Sequence, residues 1–359
     1  MKTKELLKVV GQALSGCRIS DADNKRHFLF RDGYIFVWSS AIVVSAKLPE
    51  DCKELTGILS SVDLYNVLNK IKADDIDIVC EPSKWVFTIG TKTVELNTKI
   101  DNFIESKCNT IDENIEWKSL PEDFYKGLQL VNIINNQGRH HGVYFNNDML
   151  ISTDEIRFNR YNLSSGFGID FWLGNLSVNE ILKISTKFNQ FAVNDTWTFF
   201  RYFEEGETSL LFACNRLNEN NYNLESKLES MEMCESSEDF ITGTFPEELK
   251  NTLDLAQLFD NTIIDEQSIL DNSITLDFTK SKLIVSSERD SGKFTDKLLF
   301  KDKLDIQSNI SVKVGVKHLK DILNTTREFK LVSLNYDDAN PDVVLLLSTD
   351  NLLSIVVVK

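Results

Sequence analysis

Two hydrophobic periodicities alternate along the chain. At residues 4–15 the apolar positions are spaced three and four apart, which places Leu6, Leu7, Val10, Ala13 and Leu14 on one face of a predicted amphipathic helix. Stretches in which apolar and polar residues alternate follow, and these predict strands. A second, shorter helical stretch and more strands complete the pattern, which then begins again twice. The repetition favours tandem copies of one unit.

The predicted unit contains a helix, strands, a second helix and more strands. The first helices are predicted at residues 4–15, 122–136 and 246–259, and the second helices at 62–71, 178–188 and 316–325. Hairpin turns are predicted at Asp32-Gly33, Gly90, Asn146-Asn147 and Glu205-Gly206. Pro246, followed by two glutamates, is expected at the first position of its helix.

This pattern predicts an α+β protein. We expect three tandem domains at residues 1–112, 113–236 and 237–359, each with two helices packed on antiparallel sheets. An ordinary α+β protein whose helices recur by chance is the alternative. The same order of helices and hairpins in each copy favours the repeat.

Composition limits the class of protein. Hydrophobic residues make up 42% of the chain, enough to form real cores. No apolar run reaches the roughly 18 residues of a membrane span, and the first residues follow a helical period rather than that of a secretory signal. Six scattered cysteines without paired spacing predict reduced thiols in a cytoplasmic protein rather than disulfides or a zinc site.

The net charge of −16 argues against nucleic-acid binding by the whole surface, but the predicted helices differ from the rest. With their flanks, the six helices sum to +3. If they line one surface, their basic side chains would contact phosphates without sequence specificity and in a salt-dependent way. The candidate DNA-facing residues are Lys4, Lys8, Lys70, Lys72, Lys126, Arg139, Lys183, Lys187, Lys317, Lys320 and Arg327. Glu247, Glu248 and Asp254, in the first helix of the third copy, do not fit a basic surface of this kind. The alternative is that these are ordinary surface helices that carry lysines without a role in DNA binding.

Helix dimensions set the size of any ring that these helices could form. Neighbouring helices lie about 9 Å apart, so six in a ring would have an axis circle about 17 Å across, which their own thickness would close. Twelve would leave an opening of about 23 Å, which admits duplex DNA. A chain with three copies must therefore dimerise to encircle DNA.

The order of elements resembles the bacterial-type DNA sliding clamp, the β subunit of DNA polymerase III, in a divergent form of the kind that a phage encodes. GVYFNNDMLISTDEIRFNRYNL is similar to the family segment containing ATDGhRLA, with Thr153, Asp154, Arg157 and Phe158 at matching positions. Glu155 stands where the family has glycine. The resemblance covers essentially the whole chain through short motifs.

Two further segments carry the resemblance. NYNLESKLES is similar to FPdYrrvlP, with Tyr222 as the aromatic residue and Lys227 and Leu228 as the basic and apolar pair. Asn223 replaces the proline. The C-terminal LLSIVVVK resembles YVVMPMR, with corresponding residues at Val356, Val358 and Lys359.

The resemblance implies a non-catalytic processivity factor that closes as a head-to-tail homodimer around duplex DNA. Polymerase, clamp loader and other partners would insert a short peptide into a hydrophobic cleft between the second and third domains. The implied cleft residues are Thr153, Arg157, Phe158, Tyr222, Lys227, Leu228, Val356, Val358 and Lys359. By similarity, Phe103 of one subunit would meet Leu258 and Phe259 of the other.

Other function classes find less support in the sequence. The stretch beginning at Arg289 lacks the leading glycine and final hydroxyl of a phosphate-binding loop, and GxSxG and HExxH do not occur. His140-His141 is interpreted as a solvated turn rather than a metal site. We therefore expect no cofactor, although the many acidic residues leave a paired-carboxylate site open. A β-rich structural protein, for instance part of a virion, is the main alternative.

Overall fold

A computed structural model describes residues 1–17, 27–39, 41–100, 104, 115–132, 142–153, 157–217, 224–238, 240–259, 273–289, 292–334 and 342–357. The helices are α1 (Thr3–Ala13), α2 (Ser61–Lys70), α3 (Phe124–Val131), α4 (Asn175–Lys183), α5 (Leu224–Ser236), α6 (Leu249–Ala256) and α7 (Val316–Leu323). Short 3₁₀ turns occur at Leu14–Cys17, Glu50–Cys52 and Gln257–Phe259. The chain forms two compact units, Met1–Leu120 with Leu176–Leu217, and Pro121–Asn175 with Asn218–Lys359.

The strands form antiparallel sheets in both units. They are β1 (His27–Arg31), β2 (Tyr34–Trp38), β3 (Ile42–Lys47), β4 (Gly57–Ser60), β5 (Asp77–Cys80), β6 (Lys84–Ile89), β7 (Lys92–Asn97), β8 (Lys118–Ser119), β9 (Gly142–Asn146), β10 (Met149–Thr153), β11 (Arg157–Asn162), β12 (Phe171–Gly174), β13 (Gln190–Val193), β14 (Trp197–Glu204), β15 (Glu207–Asn215), β16 (Phe240–Thr244), β17 (Ser273–Phe278), β18 (Lys282–Arg289), β19 (Gly292–Leu299), β20 (Ile310–Gly315), β21 (Glu328–Leu334), β22 (Asp342–Ser348) and β23 (Leu352–Val357).

The first unit contains an eight-stranded sheet in the order β4-β1-β2-β3-β15-β14-β13-β8 and a three-stranded sheet β5-β6-β7. Helix α1 buries Leu6, Val10 and Ala13 against β2 and β3, and it also packs on α2. Ser60 is the N-cap of α2, and its hydroxyl accepts a hydrogen bond from the backbone N–H of Asp63, which satisfies a free donor of the first turn.

The second unit contains an eight-stranded sheet in the order β12-β9-β10-β11-β23-β22-β21-β16 and a four-stranded sheet β19-β18-β17-β20. Helices α6 and α7 pack together over a core that joins both sheets. Phe245, Phe278 and Phe329 meet at its centre, with ring centroids 4.5–6.1 Å apart. The predicted α+β class with antiparallel sheets is therefore confirmed.

All six predicted helices are present in the described part of the chain, with bounds that differ by a few residues. Two details were wrong. Pro246 precedes its helix, because α6 begins at Leu249, whose N–H donates to the Pro246 carbonyl. Helix α5 was not predicted, since its apolar residues are sparse among glutamates and serines.

Tight turns join the predicted hairpins. Both Asp32-Gly33 and Glu205-Gly206 have positive φ, as two-residue hairpin turns require, so these predictions are confirmed. The turn between β9 and β10 lies one residue later than predicted, because Asn146 still belongs to β9 and Asn147 takes the positive φ.

Candidate functional site

Helix α3 covers one face of the eight-stranded sheet in the second unit. The approach is close at Gly127, where an added Cβ would lie 2.5 Å from Cδ1 of Tyr161 on β11. The Ser152 hydroxyl donates to the Val131 carbonyl at the end of the helix. The residues of β10 and β11 whose side chains face α3 therefore belong to the packed core.

Helix α5 covers the opposite face of the same sheet, which we call the α5-covered face. Its buried apolar residues are Ile151, Phe158, Val332, Val344, Leu346 and Leu353. Met231 and Cys234 of α5, only 3% and 4% exposed, pack into this cluster, and Leu228 is partly buried against it. One row of apolar side chains, on successive turns of the helix, thus covers an apolar surface formed by five strands.

Two cationic side chains hold the end of α5. Arg160 Nη2 donates to Glu235 Oε1 at 2.9 Å. Lys330 Nζ donates to the carbonyls of Glu235 and Ser237 at 3.1 and 3.2 Å, and it lies 4.0 Å from the ring centroid of Phe240. Cations at a helix C-terminus are favourable because they face its unsatisfied carbonyls. The α5-covered face therefore combines an apolar floor with a basic rim.

Comparison with known proteins places this fold. No protein-family model and no curated protein matches the chain. Solved structures match along its whole length. The Helicobacter pylori beta clamp bound to a DNA ligase peptide superposes with a TM-score of 0.72 at 15% identity, covering 100% of this chain and 99% of that one. The Bacillus subtilis DNA polymerase sliding clamp gives 0.72 at 13% identity, and a putative DNA polymerase III beta subunit from Eubacterium rectale gives 0.74 at 14%, each covering 100% of this chain and 98% of the other.

This chain has the fold of the bacterial DNA sliding clamp. In this clamp fold, strand register decides which of the predicted cleft residues come together. Thr153 lies opposite Phe158 between β10 and β11, and Phe158 lies opposite Ile355 of β23. Leu228 packs against the same cluster from α5. The structure thus brings Thr153, Phe158 and Leu228 to one face.

The other predicted cleft residues are placed differently. Arg157 lies opposite Val356 in the ladder between β11 and β23. Lys227 lies in α5. Tyr222, Val358 and Lys359 lie outside the described residues.

Sequence reasoning missed most of the floor and the rim of this face. The run VLLL at residues 344–347 of β22 is buried on both sides, and such a run signals a central strand without indicating which residues share a face. Arg160 and Lys330 gave no signal at all, since their partners are the side chain and backbone at the end of an unpredicted helix.

The predicted DNA-facing cations of this clamp fold divide into two groups. Exposed side chains are found at Lys4, Lys8, Lys70, Lys72, Lys126, Lys183 and Lys187. Within this group Lys4 pairs with Asp74 at 3.0 Å and Lys183 with Glu180 at 2.9 Å. The Lys4 pair is exposed on both sides and contributes little. In the second pair Glu180 is buried, but Lys183 itself is exposed and accessible.

The second group lies in the third copy, where acidic residues neutralise it. Lys320 of α7 forms an ion pair with Asp254 of α6, and Arg327 pairs with Glu247 at 3.1 Å. The acidic segment at residues 246–259, which did not fit a basic surface, therefore supplies the negative charges that pair with these two cations. Lys317 lies in α7, and Arg139 lies outside the described residues.

The predicted subunit contact is partly described. Leu258 is 71% exposed in the 3₁₀ turn after α6, and Phe259 ends that turn. Phe103 is outside the described part of the chain. Strand β19 is an edge strand, and its last residue, Leu299, is 67% exposed. An exposed edge with apolar residues is suited to pairing with another chain.

None of the described cysteines forms a disulfide. Burial raises the pKa of the Cys52 thiol and of the Cys214 thiol to about 12. In the described ranges, no group of three or more His, Cys, Asp or Glu side chains could hold a metal ion. None of the described helices is long and apolar enough to cross a membrane. His140-His141 lies outside the description.

Proposed function

We propose that this chain is a DNA sliding clamp, a non-catalytic processivity factor that encircles duplex DNA and tethers a polymerase to it. The observation that carries the proposal is the match of the whole chain, over 98–99% of each solved structure, to sliding clamps. A fold alone does not define a function. The proposal therefore also uses the charges and the apolar face of this chain.

Contact with DNA would come from the helices. Lys4, Lys8, Lys70, Lys126 and Lys183 are exposed on or beside α1 to α4, in a chain whose net charge is −16. Lysines in such positions attract phosphates without reading the bases, so the ring could move along the duplex. The pairing of Lys320 with Asp254 and of Arg327 with Glu247 leaves the third copy a weaker contributor.

The ring would be a homodimer of three-domain chains, with domains at residues 1–112, 113–236 and 237–359. Twelve helices leave an opening of about 23 Å, whereas six leave none. The exposed edge of β19, together with Leu258, offers one side of the subunit contact. Phe103 and Phe259 complete the contact in this proposal.

Partner proteins would dock at the α5-covered face through short peptides. Phe158, Thr153 and Leu228 lie there with a basic rim around them. The expected partners are a replicative polymerase, a clamp loader and other replication proteins with such peptides, in the cytoplasm, or in the host cytoplasm for a phage protein. The Helicobacter pylori clamp in complex with a DNA ligase peptide is a precedent in this fold.

Solution mass and DNA topology test the ring. Sedimentation should give twice the monomer mass of 41.0 kDa. Protein concentrated in the presence of a nicked circular plasmid should stay on it through gel filtration and leave it once a restriction enzyme linearises the plasmid. A monomer at all concentrations, or equal retention on linear and circular DNA, would contradict the clamp.

Charge reversal tests the channel. The double substitution Lys183→Glu and Lys187→Glu should reduce retention on circles at low salt by at least about tenfold, because each lost phosphate contact weakens DNA binding. It should also make retention less dependent on salt concentration. The control is Lys280→Glu with Lys301→Glu, two exposed lysines in loops of the other unit that change the charge equally. Equal effects of the two double variants would exclude a specific DNA-facing surface at α4.

A further inference from the structure

Helix α5 depends on the α5-covered face for its own stability. Its thirteen residues contain four glutamates and one lysine, and successive glutamates follow three or four positions apart, a spacing at which like charges repel. Glu235 lies in the last turn, where a negative charge opposes the helix dipole. A helix this short is marginal in water even with a favourable sequence. Away from the face, α5 would therefore unfold.

Among the described side chains, few contacts retain α5. Met231 and Cys234 are its buried apolar side chains among those described, with Leu228 partly buried, whereas Met233 is 56% exposed. No described strand pairs with α5, and its polar anchors among the described residues, Arg160 and Lys330, lie at one end. The helix can thus leave without breaking any ladder of the sheet.

The guanidinium of Arg160, at the rim of the face, makes only part of its possible hydrogen bonds while α5 is in place. The Nε atom of Arg160 is buried and makes no hydrogen bond to any described residue, although Nη2 of the same guanidinium binds Glu235. A carboxylate that met Nε and Nη2 together would form the bidentate pair that guanidinium favours. A ligand with a suitably placed acidic residue would therefore bind this rim better than Glu235 does.

We propose that α5 is a built-in occupant of the α5-covered face, and that partners dock there by displacing it. The ligand class is a short acidic peptide with two apolar anchors about one helical turn apart, in the spacing of Met231 and Cys234, and a carboxylate for Arg160. The inference rests on the proposed function, since it specifies how the partner site of the clamp is closed and what opens it.

A matched pair of variants on the same helix tests the displacement. The probe is a fluorescein-labelled peptide copying residues 224–238 with Cys234→Ala, whose binding is followed by fluorescence anisotropy. Met231→Asp places a charge in the buried cluster and should release α5, so the variant should bind the probe at least tenfold more tightly than the unchanged chain. Met233→Asp adds the same charge on the exposed side and should bind like the unchanged chain. Adding Arg160→Ala to Met231→Asp should remove most of the gain.

Alkylation of the unchanged chain provides a second measurement that needs no destabilising variant. Mass spectrometry after iodoacetamide treatment should show that excess probe peptide accelerates modification of Cys234, which becomes accessible when α5 leaves. Cys214, fully buried in the first unit, should remain unmodified in both conditions. Equal Cys234 rates with and without peptide, or equal peptide binding by the two Asp variants, would overturn the proposal.

Retention of the Met231→Asp variant on circular DNA separates this inference from the proposed function. Retention without any gain in peptide binding would leave the clamp intact and refute the displacement of α5. Tighter peptide binding without retention on circles would support the displaceable helix and refute the clamp.

Discussion

The two eight-stranded sheets of this chain share one plan of strand order but are covered in different ways. In the first unit, Val43, Phe199 and Leu211 are buried on the face away from α1. The partly buried residues packed against them are Trp38, Ile115, Trp117 and Trp197. In the second unit, the corresponding face is closed by α5.

The aromatic cover of the first unit belongs to the sheet itself. Trp38 and Trp197 lie on β2 and β14 and meet with ring centroids 5.6 Å apart. Trp117 directly precedes β8, which pairs with β13, and the Arg201 guanidinium lies 4.0 Å from its ring centroid. This cover cannot leave without the loss of strand pairing, whereas α5 can. One surface is therefore permanent, and the other can be exposed.

The strongest test of this difference compares two phenylalanines of similar burial. Phe199, 4% exposed, and Phe158, 6% exposed, lie on the covered faces of the first and second units. Phe199→Ala should lower the free energy of unfolding by about 3–5 kcal/mol, as in a rigid core. Phe158→Ala should lower the free energy of unfolding by less, about 1–3 kcal/mol. The reason is that α5 can detach locally and open the cavity to water while the rest of the unit stays folded.

Urea denaturation followed by circular dichroism measures both variants under the same conditions. Hydrogen exchange of the α5 amides supplies the control, since it should accelerate in Phe158→Ala and stay unchanged in Phe199→Ala. An equal loss of stability at the two positions would show that α5 is as permanent a cover as the tryptophans.

The helix-facing sides of the sheets give a second comparison, between glycines of α1 and α3. An added Cβ at Gly127 would lie 2.5 Å from Tyr161, so Gly127→Ala should lower the free energy of unfolding by about 1–3 kcal/mol. At Gly11 the nearest atom would be Cε2 of Tyr65 at 3.9 Å. Gly11→Ala should therefore raise stability by about 0.5–1 kcal/mol, as helix propensity predicts.

Thermal denaturation of both variants decides the outcome. The two substitutions should change the free energy of unfolding in opposite directions. Replacing glycine gives the same backbone benefit in both helices, but only Gly11 has space for the added methyl group. If both substitutions stabilise the protein, α3 lies farther from β11 than the close approach at Gly127 indicates.

Much of this architecture follows from local patterns. The stripe of Leu6, Val10 and Ala13 and the positive φ at Asp32-Gly33 and Glu205-Gly206 are decided within a few residues, so the helices and hairpins could be predicted. The α5-covered face depends on pairing between residues almost 200 apart in the chain, such as Phe158 and Ile355. A register change of one residue would exchange the two faces, and the sequence does not specify that register.

The candidate site shows the same limit at single residues. The resemblance at Thr153, Phe158 and Leu228 identified positions that the fold brings to one face. It also included Arg157 and Val356, which lie opposite each other between β11 and β23. Short motifs specify a segment, whereas the side that each residue occupies depends on strand pairing.

The pH dependence of the two units offers a third, smaller comparison. Burial alone would raise the pKa of Asp51 and of Asp123, but hydrogen bonds from Lys2 N–H to Asp51 and from Ser164 to Asp123 outweigh it and hold both pKa values below the usual range. Each carboxylate therefore contributes stability above its unfolded pKa of about 3.9, and the contribution is lost as pH falls through the lower folded pKa.

The variants Asp51→Asn and Asp123→Asn should each have a lower Tm than the unchanged chain at pH 7, and the difference should shrink as pH falls below the unfolded pKa of about 3.9. Melting curves across this range measure it. A Tm difference that grows as pH falls would mean that the hydrogen bonds do not favour the charged carboxylates.

The smallest effect is expected at the helix pair of the third copy, where charge rather than packing differs from α1 and α2. Asp254→Asn removes the partner of Lys320, and because the pair is partly exposed, stability should change by less than about 1 kcal/mol. The freed lysine should nevertheless increase retention on circular DNA at low salt, by roughly threefold, and steepen the salt dependence. Asp302→Asn, at an exposed loop position after β19, changes the net charge equally and is the control. If both variants gain retention equally, the effect reflects net charge alone, and α7 does not face the DNA.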